Sequence, residues 1–119
     1  MKYNFEFSEI NFNSGQKDLV IILEKEVELV ATFLMSDVQG YPDYAMEALE
    51  SVLNGQSEYE ELNGNVCGLE IRKEKTTVYD NLAEDGMGNW CEIETRELKE
   101  LVDIWTTKLA EFRKQNHYG

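Results

Sequence analysis

The sequence predicts an α+β fold, in which an antiparallel sheet of about five to six strands carries two or three helices. Short apolar runs with the alternation or β-branching of strands recur along the chain, and turn residues separate them. One long amphipathic stretch then ends the chain. The 119 residues suit one domain with its own core, so we expect a single domain over residues 1–119. The strands should form an N-terminal hairpin and a C-terminal meander.

The first hairpin is predicted from two aromatic-rich or β-branched runs. Phe5 and Phe7 alternate with polar residues, as in a half-buried strand. Ile10 and Phe12 continue the alternation in the opposite parity, which predicts a bulge or break between the two pairs. A turn cluster follows, and the continuous apolar run 19–23 then predicts a return strand with both faces covered.

Two helical segments are expected in the middle of the chain. The segment 26–35 fits one face of a helix, but its alternate residues also fit a strand. The absence of a preceding turn residue favours a long strand, whereas the composition and the lack of a hairpin partner favour a helix. The next helix should begin near Pro42, with Asp43 at the positive end of the helix dipole, and end at Asn54-Gly55.

The second half of the chain predicts a meander of four short strands. Asn63-Gly64 is a strong signal for a tight hairpin turn between the first two. In the last strand, Trp90 has the opposite parity to Cys91 and Ile93, which places it on the less covered face. The predicted strands cover residues 58–62, 66–73, 76–80 and 90–94.

A C-terminal helix is predicted over residues 95–114. Thr95 suits the N-cap, Glu97 lies near the positive end of the helix dipole, and Arg113 and Lys114 lie near the negative end. Its apolar residues form one helical stripe, and a stripe of this kind needs a surface to cover. The stripe consists of Leu98, Leu101, Val102, Trp105, Leu109 and Phe112.

Net charge limits the classes of partner. There are 11 basic and 24 acidic residues, a formal charge of −13. The excess is larger in residues 1–60, with 3 basic and 12 acidic residues, than in residues 61–119, with 8 and 12. Such a protein repels nucleic acid and anionic membranes and attracts basic proteins. The N-terminal residues lack the apolar core of a signal peptide, and no apolar run is long enough to span a membrane, so we expect a cytoplasmic protein.

The sequence lacks the residue sets of common catalytic sites, so we expect no enzyme, no cofactor and no metal site. The one histidine, His117, lies in the C-terminal tail, and Cys67 and Cys91 share strand parity with core residues, as reduced buried thiols do. One alternative remains open. The run from Glu70 to Lys73 resembles the carboxylate-then-lysine strand of metal-dependent nucleases, which would make Glu70 and nearby acids a metal-assisted hydrolase site.

Three clusters combine aromatic and acidic residues and are candidate partner-binding surfaces. Aromatic rings stack with guanidinium groups and carboxylates accept their paired hydrogen bonds, so such clusters suit a protein rich in Arg and Lys. The predicted contact residues are Trp90 with Glu84 and Asp85, Tyr59 with Glu60, and Tyr41 with Asp43.

Two segments carry a family resemblance. The run 63–71, Asn-Gly-Asn-Val-Cys-Gly-Leu-Glu-Ile, and the run 91–95, Cys-Glu-Ile-Glu-Thr, precede the leucines and tryptophan of the C-terminal helix. In this C-terminal half the chain resembles small acidic bacterial immunity-type proteins of contact-dependent and other polymorphic toxin systems. The resemblance implies a protein that binds one cognate toxin domain, commonly a nuclease, and blocks it. An adaptor for another basic protein would carry the same surface chemistry.

Overall fold

The structure, a computed structural model, describes residues 2–81 and 89–115. It confirms the α+β class, with six strands and three α-helices. The strands are β1 (Phe5–Asn11), β2 (Lys17–Leu23), β3 (Tyr59–Asn63), β4 (Cys67–Arg72), β5 (Lys75–Asp80) and β6 (Trp90–Glu94). The helices are α1 (Glu28–Phe33), α2 (Asp43–Leu53) and the C-terminal α3 (Thr95–Gln115). Among the described residues, no helix is long and apolar enough to cross a membrane.

The strands form two antiparallel sheets, where the sequence suggested one. In the part of the chain that the structure describes, β1 and β2 pair only with each other, and the meander forms a second sheet in the order β3-β4-β5-β6. Both α1 and α3 contact β2 on one side and the strands β5 and β6 on the other. These two helices therefore lie between the hairpin and the four-stranded sheet, whereas α2 contacts α3 and the strands β3 and β4. The ring of Phe7 on the hairpin stacks on Trp105 of α3, with centroids 6.4 Å apart.

The predicted bulge in the first strand is absent. The pairing of β1 with β2 runs without interruption from Phe5 opposite Leu23 to Asn11 opposite Lys17. The change in apolar parity has a different cause. Ile10 lies on the outer face of the hairpin and is 43% exposed, because the helices cover only the opposite face.

The ambiguous segment 26–35 is helical. A 3-10 turn, Lys25–Val27, leads into α1, and a π-helical turn, Leu34–Val38, follows it. The segment ends at Gln39, whose φ of 51° lies in the left-handed region that non-glycine residues seldom adopt. The buried face of this segment packs against both the β1–β2 hairpin and the four-stranded sheet. A helix can cover the apolar surface of both, whereas a strand could not.

The stripe predicted for the C-terminal helix is buried along its whole length. Thr95, however, does not act as the predicted N-cap. Its hydroxyl hydrogen-bonds to the Thr76 hydroxyl and donates to the Arg72 carbonyl, while its N–H donates to the Glu74 carbonyl. Thr95 therefore fixes the start of α3 to the sheet.

The turn between β3 and β4 lies two residues later than the Asn63-Gly64 signal suggested. Gly64 pairs with Cys67 through its N–H, so the chain reverses at Asn65 and Val66. The cause is Asp37, whose carboxylate accepts the N–H groups of Val66 and Cys67 at 3.1 and 2.8 Å. A side chain 29 residues away from the turn thus sets its position.

An ion-pair cluster at Glu94 ties the N-terminus to the end of β6. Glu94 contacts the ammonium groups of Lys75 at 2.9 Å and Lys2 at 3.1 Å, and it accepts a hydrogen bond from the Tyr3 hydroxyl at 3.0 Å. The bond from Lys75, assisted by Lys2 and Tyr3, lowers the pKa of Glu94 from 4.5 to about 2. The charged carboxylate is therefore the form that the fold stabilises.

This cluster predicts an acid-dependent contribution to stability. Because the folded-state pKa is lowered, the contribution is complete above pH 4.5 and is lost as the pH falls towards 2. We expect Glu94→Gln to melt about 2–4 °C below the wild type at neutral pH, a small effect because both lysines are more than half exposed. The gap should close between pH 4.5 and 2 in a series of thermal melts, and a gap that stays constant with pH would contradict this assignment.

Candidate functional site

No helix within residues 2–81 and 89–115 lies on one side of the four-stranded sheet, and we call that side the open face. In β4, Leu69 and Ile71 are fully buried beneath the helices, whereas the side chains of Glu70 and Arg72 on the other side are 40% and 56% exposed. The strand register extends this alternation to the neighbouring strands. The open face consists of Tyr59, Glu61, Asn63, Gly68, Glu70, Arg72, Lys75, Thr77, Tyr79, Trp90, Glu92 and Glu94.

A row of carboxylates crosses the middle of the open face. Glu61 pairs with Glu70, Glu70 with Thr77, and Thr77 with Glu92, so these four residues form one cross-strand row. Glu61 and Glu70 lie directly opposite each other on neighbouring strands. Like charges in that position destabilise a sheet, so this row is unfavourable for the protein in isolation.

At one corner, a guanidinium group of the chain itself lies between a ring and a carboxylate. The Cζ atom of Arg72 is 4.9 Å from the ring centroid of Tyr59, and its Nη1 is 3.8 Å from Glu70 Oε1. The Tyr59 hydroxyl donates to Glu61 at 2.5 Å, and this bond raises the pKa of Tyr59 to about 12. The phenol therefore stays protonated at neutral pH and continues to donate to Glu61.

The opposite corner presents the most exposed large ring of the sheet. Trp90 is 57% exposed, as its strand parity predicts. The neighbouring ring on β5, Tyr79, does not cover it. Tyr79 leans across Gly68, where a Cβ atom would lie 2.3 Å from the ring, and its hydroxyl donates to Asn63 at 3.2 Å. The β6 side of the open face is thus left uncovered by Tyr79.

The five predicted contact residues that the structure describes lie on two surfaces. Tyr59 and Trp90 share the open face, at diagonally opposite corners of the sheet. Glu60 faces the other way and lines a cleft beside α2, and Tyr41, 71% exposed, and Asp43 lie at the start of α2. Glu84 and Asp85 lie outside the described residues. Of these five residues, only Tyr59 and Trp90 share a face of the sheet. They lie at opposite corners and are not in contact.

A second acidic surface is formed by α2 and the strand beside it, β3. The chain has no basic residue between Lys25 and Arg72, and α2 itself carries Asp43, Glu47 and Glu50. α2 contacts β3, so Glu60 adds its charge to the same side of the molecule. We call Asp43, Glu47, Glu50 and Glu60 the α2 surface.

The described residues do not assemble a recognisable catalytic centre. Within residues 2–81 and 89–115, no group of three or more His, Cys, Asp or Glu side chains could hold a metal ion. Glu70, the candidate hydrolase residue, instead pairs with Arg72. Cys67 and Cys91 are free thiols with β5 between their strands, and burial raises their pKa values to about 12 and 11. His117 lies outside the described residues.

The sequence alone does not single out Glu61 or Glu92, does not place either beside Glu70, and gives no role to Arg72. Their shared row follows from the register of four strands, which local sequence does not encode. A signal was nevertheless present, because both edge strands contain an aromatic residue followed two positions later by Glu: Tyr59 with Glu61, and Trp90 with Glu92.

Comparison with known proteins finds a relative that matches nearly the whole chain. A protein from Bacillus cereus named "Immunity protein" is 50% identical to the chain over 114 residues, which make up 96% of this chain and 94% of that protein. The chain belongs to this immunity-protein family. The similarity covers nearly the whole of both chains and so extends well beyond the C-terminal half that carried the resemblance. No protein-family model and no solved structure matches the chain.

Proposed function

We infer that this protein is a non-enzymatic inhibitor that binds a cognate toxin domain and neutralises it. The observation that carries the proposal is the 50% identity, over nearly the whole chain, to a protein named "Immunity protein". The inhibitor would act in the cytoplasm of the cell that makes it.

The net charge supports a basic toxin. At −13, the protein attracts a cationic partner over long distances and speeds its association. A toxin that cleaves nucleic acid needs a positively charged surface to hold the phosphate backbone. A nuclease of a contact-dependent or other polymorphic toxin system is therefore the partner that suits this charge, and the inhibitor would cover its substrate surface.

The proposed contacts are the aromatic and acidic residues named from the sequence. Tyr59 and Trp90 would act from the open face, and Asp43 and Glu60 from the α2 surface, with Tyr41 just before the start of α2. Glu84 and Asp85 would act from the segment outside the described residues. A typical interface buries about 800 Å² on each partner, so one complex need not use both surfaces.

The test is to produce the chain together with the toxin domain encoded beside its gene and to measure growth and complex formation. We expect the protein to restore growth and to bind the purified toxin with a Kd in the nanomolar range or below. An unrelated acidic protein of similar charge provides the control for non-specific attraction. Absence of a complex at low salt, or growth inhibition that persists with the protein present, would rule the proposal out.

Salt should separate association from dissociation in this complex. Because charge attraction acts mainly on encounter, the association rate should fall at least about tenfold between roughly 20 mM and 300 mM NaCl, while the dissociation rate changes much less. Stopped-flow or surface-based kinetics would measure both rates. An association rate that does not depend on salt would exclude a basic toxin while leaving the inhibitor function intact.

A further inference from the structure

The open face repeats one arrangement at two corners. On β3, Tyr59 is followed two residues later by Glu61, and on β6, Trp90 is followed two residues later by Glu92. All four side chains project from the same face. Because β3 and β6 run in opposite directions, the two rings lie at opposite corners while both glutamates lie in the central row.

The first corner shows how a ring and a carboxylate of this sheet face hold a guanidinium group, although the carboxylate there is Glu70, since Glu61 accepts the Tyr59 hydroxyl. There the chain places its own Arg72 against the Tyr59 ring, 4.9 Å from the centroid, and beside the Glu70 carboxylate. A guanidinium group is well suited to this position, because its plane stacks on a ring while its N–H groups point to carboxylate oxygens. The corner is thus an internal example of arginine recognition by this sheet face.

The second corner has the ring and the carboxylate, but no cation of the described residues lies within ion-pair distance of Glu92. Glu92 forms no hydrogen bond or ion pair within residues 2–81 and 89–115, and Trp90 is 57% exposed. The basic residue on the adjoining strand, Lys75, is held by Glu94 at 2.9 Å. Arg72 is likewise held at the first corner.

We propose that Trp90 and Glu92 bind an arginine side chain of the toxin, so that the open face is the toxin-binding surface. This proposal rests on the inhibitor function inferred above. Charge complementarity supports it, since the row of Glu61, Glu70 and Glu92 contains a like-charge pair that a cationic partner would relieve. An exposed tryptophan with a neighbouring carboxylate also has the composition of an interface hot spot.

Binding measurements with the toxin encoded beside the gene test this assignment. Trp90→Ala should weaken binding at least about 30-fold, as expected for an interface tryptophan, and Glu92→Gln about 5- to 20-fold. Phe12→Ala and Glu100→Gln are matched controls, since Phe12 is 49% exposed on the hairpin and Glu100 is exposed on α3. Both controls should change the Kd less than about threefold.

Competition with free amino acids tests whether the bound group is a guanidinium. At equal ionic strength, arginine in the buffer should weaken the wild-type complex more than lysine does, because the guanidinium plane stacks on indole. The difference should disappear in Trp90→Ala. Equal effects of arginine and lysine on the wild-type complex would overturn the assignment of an arginine.

Glu61→Gln separates a binding role from a structural one. The change removes the like-charge pair with Glu70 and keeps an oxygen that can accept the Tyr59 hydroxyl bond. We therefore expect the Tm of the free protein to rise by about 1–4 °C while toxin binding weakens severalfold. A lower Tm together with unchanged binding would show that Glu61 supports the fold and takes no part in toxin binding.

The outcomes distinguish this proposal from the inhibitor function. If the wild type forms no complex, both fail together. If the wild type binds and protects while Trp90→Ala and Glu92→Gln bind equally well, only the open-face assignment fails. Weakened binding by Glu47→Gln with Glu50→Gln, without any effect of Trp90→Ala, would place the toxin on the α2 surface instead.

Discussion

Replacing Trp105 with alanine is expected to lower the free energy of unfolding by about 3–5 kcal/mol, the largest loss predicted for any single position in this protein. Trp105 is 2% exposed in the middle of α3. Its ring stacks on Phe7 of the hairpin, and its Nε1 donates to the Gln39 carbonyl at 2.9 Å. One side chain therefore joins the hairpin, the C-terminal helix and the strained residue that ends the π-helical turn.

The loss should be large because two contributions add. Deleting the ring leaves a cavity between the hairpin and α3, and a two-stranded hairpin is marginally stable without packing against another element. The Gln39 carbonyl also loses its indole donor. Trp105→Phe, which keeps a ring but removes the donor, should lose about half as much. The total free energy of unfolding of a protein of this size is roughly 5–15 kcal/mol, so the alanine variant should melt on the order of 15 °C below the wild type.

Urea unfolding followed by circular dichroism measures this loss, and Trp90→Ala is the matched control. The same substitution at an exposed site should change the unfolding free energy by no more than about 0.5 kcal/mol. The control also leaves Trp105 as the sole tryptophan, so its fluorescence reports directly on the core. A Trp105→Ala protein that melts within about 3 °C of the wild type would show that the hairpin does not depend on this contact.

The periodic elements of this fold are predictable because each carries its signal locally. All six apolar residues of the C-terminal stripe are buried, and the strand parity of Trp90 correctly predicts its exposure. The helix at residues 26–35 is harder to predict from the sequence, since the segment fits both the helical period and the alternation of a strand. The choice between helix and strand depends on packing against the hairpin and the sheet at once. A short stretch of sequence carries no information about that packing.

The features that sequence reasoning missed all depend on distant contacts. Alternation identifies strands but not their partners, so the division into two sheets could not be seen. The β3–β4 turn moved because Asp37 binds it from another part of the chain. The central row of the open face likewise requires the register of four strands.

Asp37→Ala is expected to lower the free energy of unfolding by about 2–4 kcal/mol, a large effect for one polar side chain. The carboxylate accepts two backbone N–H groups, from Val66 at 3.1 Å and Cys67 at 2.8 Å. Alanine would leave both donors without this partner at the start of β4, where Cys67 is fully buried. Gly64 allows the close approach, since a Cβ atom there would lie 2.5 Å from the Asp37 Cγ.

Two further variants test this assignment. Asp37→Asn keeps one acceptor oxygen and should lose roughly half as much, whereas Asp103→Ala, at an exposed position on α3, should change stability by at most about 0.5 kcal/mol. Hydrogen exchange gives the local readout, because the Val66 and Cys67 amides should lose protection in Asp37→Ala before the β5–β6 pairing does. If protection of those two amides is unchanged, the turn is held by the sheet alone. If it falls, then a residue of the helical layer sets the geometry of β3 and β4, the two strands that hold Arg72 between Tyr59 and Glu70.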